Sequence, residues 1–252
     1  MNSFSLVRVY IDSGTHIGRG YHQRIQRIEE NIGTPELVLA EGDSNPLNRE
    51  SVKAVLGILP FAPLLAVAVS IQLFLILELG GRLLSMIDIN SSGSDRQVVR
   101  HFNQKEIKSK EIDLNIAQFV HRCRLYWAVS NWGALLAFLW LTWPCESNFF
   151  GIPEPIVYLI LIGYLFFFIL LAIAHEARNI HFAETIADQE TEFGSVCAVM
   201  GGTHHLVVGP LLDKNEEITV INPKPENPSI LTRISATAIE SLAKILPDVE
   251  YC

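Results

Sequence analysis

Ser195-Val196-Cys197-Ala198-Val199-Met200-Gly201-Gly202-Thr203-His204-His205 is the stretch on which the fold of this chain turns. Its first part is an unbroken apolar run, as expected of a strand covered on both faces in a parallel sheet. Two glycines then end the run and deliver a pair of histidines. Working outward, residues 175–191 read as a polar helical stretch and Glu217–Ile221 as a further strand. Pro223, Pro225 and Pro228 mark a loop, and Ser229–Leu246 reads as a terminal helix. At the other end of the chain, Phe4–Ser13 is β-branched and partly alternating, which predicts a strand. Ile25, Ile28 and Ile32 fall at helical spacing within His22–Ile32, with Gly33 as the stop. Glu36–Glu41 is a second, mostly apolar strand, and strand, helix, strand in that order implies a right-handed parallel unit. The predicted fold class is α/β: a small sheet containing parallel strands, with flanking helices, interrupted by two or three transmembrane helices.

The interruption comes from the middle of the chain. Apolar residues make up 49% of the sequence and mean hydropathy is +0.28, and the excess is concentrated in three stretches. These are residues 54–79, 125–145 and 156–174, each reaching the roughly 20 apolar residues that cross a hydrocarbon core. Leu159–Leu171 is nearly pure Leu, Ile and Phe, too apolar for a helix with one wet face. Trp127, Trp132, Trp140 and Trp143 lie towards the ends of the second stretch, where an aromatic belt belongs. Residues 82–124 carry eight Lys or Arg, whereas Glu146–Pro155 carries two acids and no base. Positive residues stay inside, so 82–124 reads as a basic cytoplasmic helical loop and 125–174 as a transmembrane hairpin. Pro60 and Pro63 interrupt the first stretch, which either crosses the bilayer or enters and returns, or lies in its interface. Residues 1–50 and 176–252 are then two halves of one α/β domain, on the cytoplasmic side of a multi-pass membrane protein. The lipid bilayer is the first expected partner. The net charge of −8 argues against nucleic acid as a partner. Cys123, Cys145, Cys197 and Cys252 show no metal-ligand or redox spacing and read as reduced and structural. The amino terminus has no basic region followed by an apolar core, so its first residues are read as part of the fold.

His16, Glu41 and the His204–His205 pair each fall just past the end of a predicted strand. In a parallel sheet those ends share one edge, where open α/β sheets place their ligands. Two imidazoles and a carboxylate gathered there suit a divalent metal ion with open coordination positions. Such an ion would lower the pKa of a bound water and make it a nucleophile. A lone histidine at a strand end is ordinarily a solvated or capping residue, and Arg178, close behind an apolar segment, is ordinarily an interface anchor.

Four segments, in order, resemble the signatures of the TraB/Tiki superfamily. They are Ser13-Gly14-Thr15-His16-Ile17, Leu37-Val38-Leu39-Ala40-Glu41, Ala177-Arg178-Asn179-Ile180-His181-Phe182-Ala183 and Val199-Met200-Gly201-Gly202-Thr203-His204-His205-Leu206. A fainter likeness covers Glu111–Ile116 with Arg122 and Arg124 after it. The resemblance implies an α/β domain with both histidine turns and the glutamate on one face. It also implies a membrane-associated, metal-dependent peptidase, the activity of the family's Tiki members; its bacterial members include a pheromone-shutdown protein. Carried over, His16, Glu41, His205 and His204 become metal ligands, with Glu41 and Arg178 as catalytic groups. Arg178 would serve as charge partner for a carboxylate or a developing oxyanion. The second turn reads either from Gly201 to His204 or from Gly202 to His205, and Leu206 after it matches the latter. No spacer separates Thr15 from His16, and Ala177 stands at the usual position of an acid, beside Glu176. Those departures support a second expectation, a non-catalytic, membrane-anchored binding or regulatory module with the same fold. A transporter component is disfavoured, since the apolar stretches hold almost no charge. Catalysis requires that the bilayer leave both halves on one side.

Overall fold

In β1 (Val7–Gly14), Val7, Val9 and Ile11 are buried on one face and Tyr10 on the other, so the strand packs on both sides. The computed structural model describes residues 6–14, 20–42, 49–64, 94–114, 116–142, 148–149, 152–189, 192–225, 228 and 230–245. After β1 come α1 (Tyr21–Ile32), β2 (Leu37–Ala40), α2 (Arg49–Ile58), α3 (Ser94–Gln104) and β3 (Lys108–Glu111). There follow α4 (Ile116–Arg122), α5 (Arg124–Thr142), β4 (Asn148–Phe149), β5 (Ile152–Pro153) and α6 (Glu154–Ala187). The chain ends in β6 (Ser195–Gly201), α7 (Gly202–Leu212), β7 (Ile218–Val220) and α8 (Ile230–Ile245).

Five strands form one sheet in the order β3-β2-β6-β1-β7, and every neighbouring pair is parallel. The fold is therefore α/β, a five-stranded parallel sheet flanked by helices. Strands β1 and β2 do not pair with each other. β6 lies between them, with Asp12 opposite Val199 on one side and Ala40 opposite Val199 on the other. Side chains alternate across a strand, and the sheet sorts them into two cores. Val9, Ile11, Leu39, Ala198 and Met200 pack with Phe182 and Ile186 of α6 and Val208 and Leu212 of α7. Tyr10, Val38, Cys197 and Val199 pack with Ile25, Ile28 and Ile32 of α1 and Val98 and Phe102 of α3. Each such buried aliphatic side chain contributes roughly 1.5–3 kcal/mol through water exclusion.

The spacing of Ile25, Ile28 and Ile32 thus marks the buried face of α1, and Gly33 ends that helix at φ +73°. Residues 82–124, read from sequence as one basic helical loop, hold α3 and the edge strand β3. All four residues of β3 are exposed, and Lys108 and Lys110 guard its open side. The chain divides into two units, the first comprising residues 1–44, 83–114 and 175–241 and the second residues 45–82, 115–174 and 242–252. Within the second, the Leu64 N–H donates to Asn131 Oδ1 at 2.9 Å, and the Arg124 guanidinium lies 4.2 Å from the Phe61 ring centre.

Among the described residues, no helix is long and apolar enough to cross a membrane. The stretches expected to do so fall partly outside them. Residues 65–79 and 143–145 are not described, and neither are most side chains of 156–171 within α6. Cys123 and Cys197 are buried and in no disulfide, whereas Cys145 and Cys252 lie outside the described residues.

The segment after β7 is locked against α7 and β1. The Ile221 N–H donates to the Val9 carbonyl at 2.8 Å. Asn222 continues the ladder with its side chain, accepting from the Ile11 N–H at 2.8 Å and donating to the Ile11 carbonyl at 2.7 Å. Gly209 of α7 lies so close that a Cβ on it would stand 2.2 Å from the Pro223 carbonyl oxygen. Backbone cannot give way as a side-chain tip can. Gly209→Ala is therefore expected to cost about 1–3 kcal/mol, read as a lower midpoint in chemical denaturation; an unchanged midpoint would show that this approach is not tight.

Candidate functional site

Glu41 is the residue immediately after β2, at the carboxyl end of the parallel sheet. Its N–H still donates to the Val199 carbonyl at 2.8 Å, which holds its backbone to the central strand. The side chain, 7% exposed, is met from three directions. Oε2 accepts the Gly201 N–H at 2.6 Å, where β6 passes directly into α7. Oε1 accepts Nη2 of Arg178 at 2.7 Å and lies 3.3 Å from Nε2 of His204. Burial alone would raise the pKa of this carboxyl. The His204 contact, the Arg178 charge and the Gly201 N–H outweigh burial and hold it far below the usual carboxylate range. A carboxylate at the start of α7 is further favoured by the helix dipole.

Arg178 comes from the last part of α6. Besides Glu41 it grips Asp113, donating from Nε to Oδ1 and from Nη2 to Oδ2, both at 2.7 Å. This is the two-pronged geometry that favours guanidinium over ammonium. Asp113 follows β3, so one cation ties together α6, β2 and β3.

The histidine beside Glu41 is set by a chain of hydrogen bonds. Asn179 Nδ2 donates to Glu176 Oε2 and to Nδ1 of His175, both at 3.2 Å. That fixes its oxygen towards His204, whose Nδ1 lies 2.6 Å away and must carry the proton of that bond. The other face of the His204 ring stacks on His175, with centres 4.0 Å apart and planes at 7°. The edge of Phe182 abuts the same ring. His175, accepting at Nδ1, is neutral with its proton on Nε2, a buried atom without a hydrogen-bond partner among the described residues. Burial is the main reason that its pKa falls to about 3, helped by the charges of His204 and Arg178.

His205 turns elsewhere, because successive residues on a helix diverge by about 100°. Its Nε2–H donates to the Asn222 carbonyl at 2.7 Å, and its Nδ1 is buried without a partner among the described residues. Burial lowers its pKa as well. The structure thus brings together Glu41, Arg178 and His204, whereas His205 braces the segment after β7. His16 lies outside the described residues.

Among the described residues, no group of three His, Cys, Asp or Glu side chains is arranged to hold a metal ion. The donor set explains why. Glu41 and Asp113 spend their oxygens on Arg178 and its neighbours, and both nitrogens of His204 face protein oxygens. A guanidinium occupies the place a cation would take, so these residues do not by themselves suit a metal.

Asp113, Asn179 and His175 were not singled out from the sequence. Asp113 falls within the fainter likeness at Glu111–Ile116, and Asn179 adjoins Arg178 in the third motif. In the sequence His175 is only the first residue of the polar helical stretch 175–191. Compared with known proteins, the chain matches no family model, no curated protein and no solved structure.

The site makes stability pH-dependent. His175 has its ordinary value of 6.5 when unfolded and about 3 when folded, so between these the unfolded chain binds an extra proton. Stability is then full above pH 6.5 and declines on acidification through that window. His205 acts with the same sign, and Glu41 adds a further loss below its unfolded value of 4.5. Thermal melts should fall from pH 6.5 to 4.5, and His175→Gln should flatten part of that fall. An identical slope in the variant would show that His175 does not stay neutral.

Proposed function

We propose that the chain is a membrane-anchored hydrolase, peptidase-like in its reaction, whose active centre is the cluster of Glu41, His204 and Arg178. The observation that carries this reading is the 3.3 Å approach of Glu41 Oε1 to His204 Nε2 at the carboxyl edge of a parallel sheet. Ligands of open α/β sheets bind at that edge. The ordered resemblance to the TraB/Tiki signatures supports Glu41 and Arg178, and one histidine of the His204–His205 pair. In this reading a water attacks the scissile carbonyl carbon, the Glu41 carboxylate takes the proton that water loses, and the same proton goes to the departing group as its bond to that carbon breaks. His204, oriented by Asn179, holds Glu41 in place through Nε2. Arg178 binds carboxylates through Nε and Nη2, and among the described residues its Nη1 has no hydrogen bond, which leaves it for the oxyanion of the substrate. No step is assigned to a metal ion, although the resemblance implies one.

A second reading, a non-catalytic binding module, draws on the same geometry: the charged groups already satisfy one another. Peptide turnover separates the two. Purified protein, assayed on a mixed fluorogenic peptide set with and without added divalent cations, is expected to cleave, and Glu41→Gln to lower kcat/KM by about 10²–10⁴-fold. No turnover by the wild type under either condition would favour the module.

The membrane part of the reading rests on α5. Leu125, Val129, Trp132, Leu136 and Leu139 recur at helical spacing, and each is more than half exposed. A continuous exposed apolar stripe of this kind calls for an apolar neighbour, and lipid is the neighbour proposed. The sheet then constrains the topology. β1, β2, β3 and β6 share it, so residues 1–44, 83–114 and 175–241 lie on one side of the bilayer. The chain crosses an even number of times in each intervening stretch. A hairpin over 125–174 satisfies this, and residues 54–79 enter and return or lie in the interface rather than cross once. Tags at the two termini should therefore be accessible from the same face of sealed vesicles; opposite faces would refute the topology.

A further inference from the structure

Beside Glu41 the same α/β unit contains a cavity of about 500 Å³. One wall is a stripe of α3, Arg96, Arg100 and Asn103, spaced four and three residues apart and hence on one helical face. The lining continues through Ser109 and Lys110 of β3 and through Ala40, Glu41 and Gly42 at the end of β2.

The lining carries three bases, Arg96, Arg100 and Lys110, and three acids, Glu41, Asp95 and Glu111, in a chain whose net charge is −8. Two of the acids on its walls are already engaged. Asp95 is bound by Arg24 at 2.5 Å, and Glu41 by Arg178 at 2.7 Å. Arg96, Arg100 and Lys110 form no ion pair among the described residues, and Glu111 is the remaining acid of the lining. The placement is also firm. Arg24, 4% exposed, bridges Asp12 of β1 and Asp95 at the start of α3, so the helix that carries both arginines is anchored to the sheet by a buried ion pair. Paired guanidiniums on a fixed helix present oxygen-binding forks, the arrangement that recognises carboxylate and phosphate groups.

We propose that this cavity binds the anionic end of the substrate, a carboxylate or phosphate group held by Arg96, Arg100 and Lys110, so that the adjoining bond lies beside Glu41. The inference rests on the assignment of Glu41 as the active centre, but the anion site can be tested without turnover. The full-length protein in detergent would be titrated calorimetrically with inorganic phosphate and separately with succinate. At least one is expected to bind, more weakly as salt rises, and the tighter of the two identifies the oxyanion. Arg96→Gln/Arg100→Gln is expected to weaken binding at least tenfold. Lys214→Gln, an exposed single-charge change outside the cavity, should leave binding unaltered. Where peptides are cleaved, the double variant should raise KM and leave kcat within about twofold, as expected when an interaction serves ground state and transition state alike. Binding of neither anion, or equal binding by wild type and double variant, overturns the proposal. Arginine-dependent binding without any hydrolysis would uphold the anion site and refute only the hydrolase.

Discussion

The placement of β6 between β1 and β2 is the constraint on which the rest of the structure depends. Neither amino-terminal strand meets the other, and both meet a strand from the far end of the chain. The hydrogen bonds that would join β1 to β2 in a simple strand-helix-strand unit are made instead to residues 195–201. The sheet is therefore closed by contacts of very long sequence separation, whose loop-closure entropy is recovered only when β6 arrives. The same insertion brings Gly201 and His204 against Glu41, so the site and the sheet are consequences of one event.

Charge is handled by a repeated device. Two arginines each serve two carboxylates. Arg24 binds Asp12 and Asp95, and Arg178 binds Glu41 and Asp113. Each set of contacts joins the end of a strand of the sheet to a helix or strand elsewhere in the chain. Desolvating such groups is expensive, and a buried pair is weak evidence of net stabilisation. Removing one partner is another matter, since a lone buried charge costs about 3–5 kcal/mol. These clusters therefore act chiefly to forbid other arrangements of α3 and α6 against the sheet. They differ in access. Arg24 is sealed, at 5% side-chain exposure, whereas Arg178 keeps 28% and so remains open to a ligand.

Much of this was legible in the residues. β1, β2 and β6 announce themselves as apolar runs because each is covered on both faces or nearly so, and β7 by alternation, since Ile218 and Val220 are buried and Thr219 is exposed. α1 announces itself through its isoleucines. β3 does not, since Lys-Ser-Lys-Glu at a sheet edge buries nothing and leaves no hydrophobic pattern. The order of the strands was hidden for a different reason: periodicity records which faces are apolar, not which strand lies beside which. At the site, Glu41 and the His204–His205 pair were visible at the ends of apolar strands, with the motif favouring His205, and Arg178 only through the motif order. Which histidine of the pair meets Glu41 depends on the helical phase at the start of α7, and that is fixed only when Asn179 and His175 close around the ring. Asp113 was nearly silent, an acid in a basic stretch whose importance comes from a guanidinium 65 residues away.

The central position of the last long strand has a consequence for biosynthesis. A ribosome releases Glu41 some 160 residues before the Gly201 amide that will hold it. Throughout that interval the nascent chain has β1 and β2 without the strand that joins them, and a carboxylate without its Gly201 and His204 partners. Any product that stops short of residue 195 lacks the joining strand, so it can pair β2 with β3 but has neither the five-stranded sheet nor the complete site. The order of translation thus delays any activity at Glu41 until the intervening apolar segments have been made, and the polypeptide is inert while they are being placed.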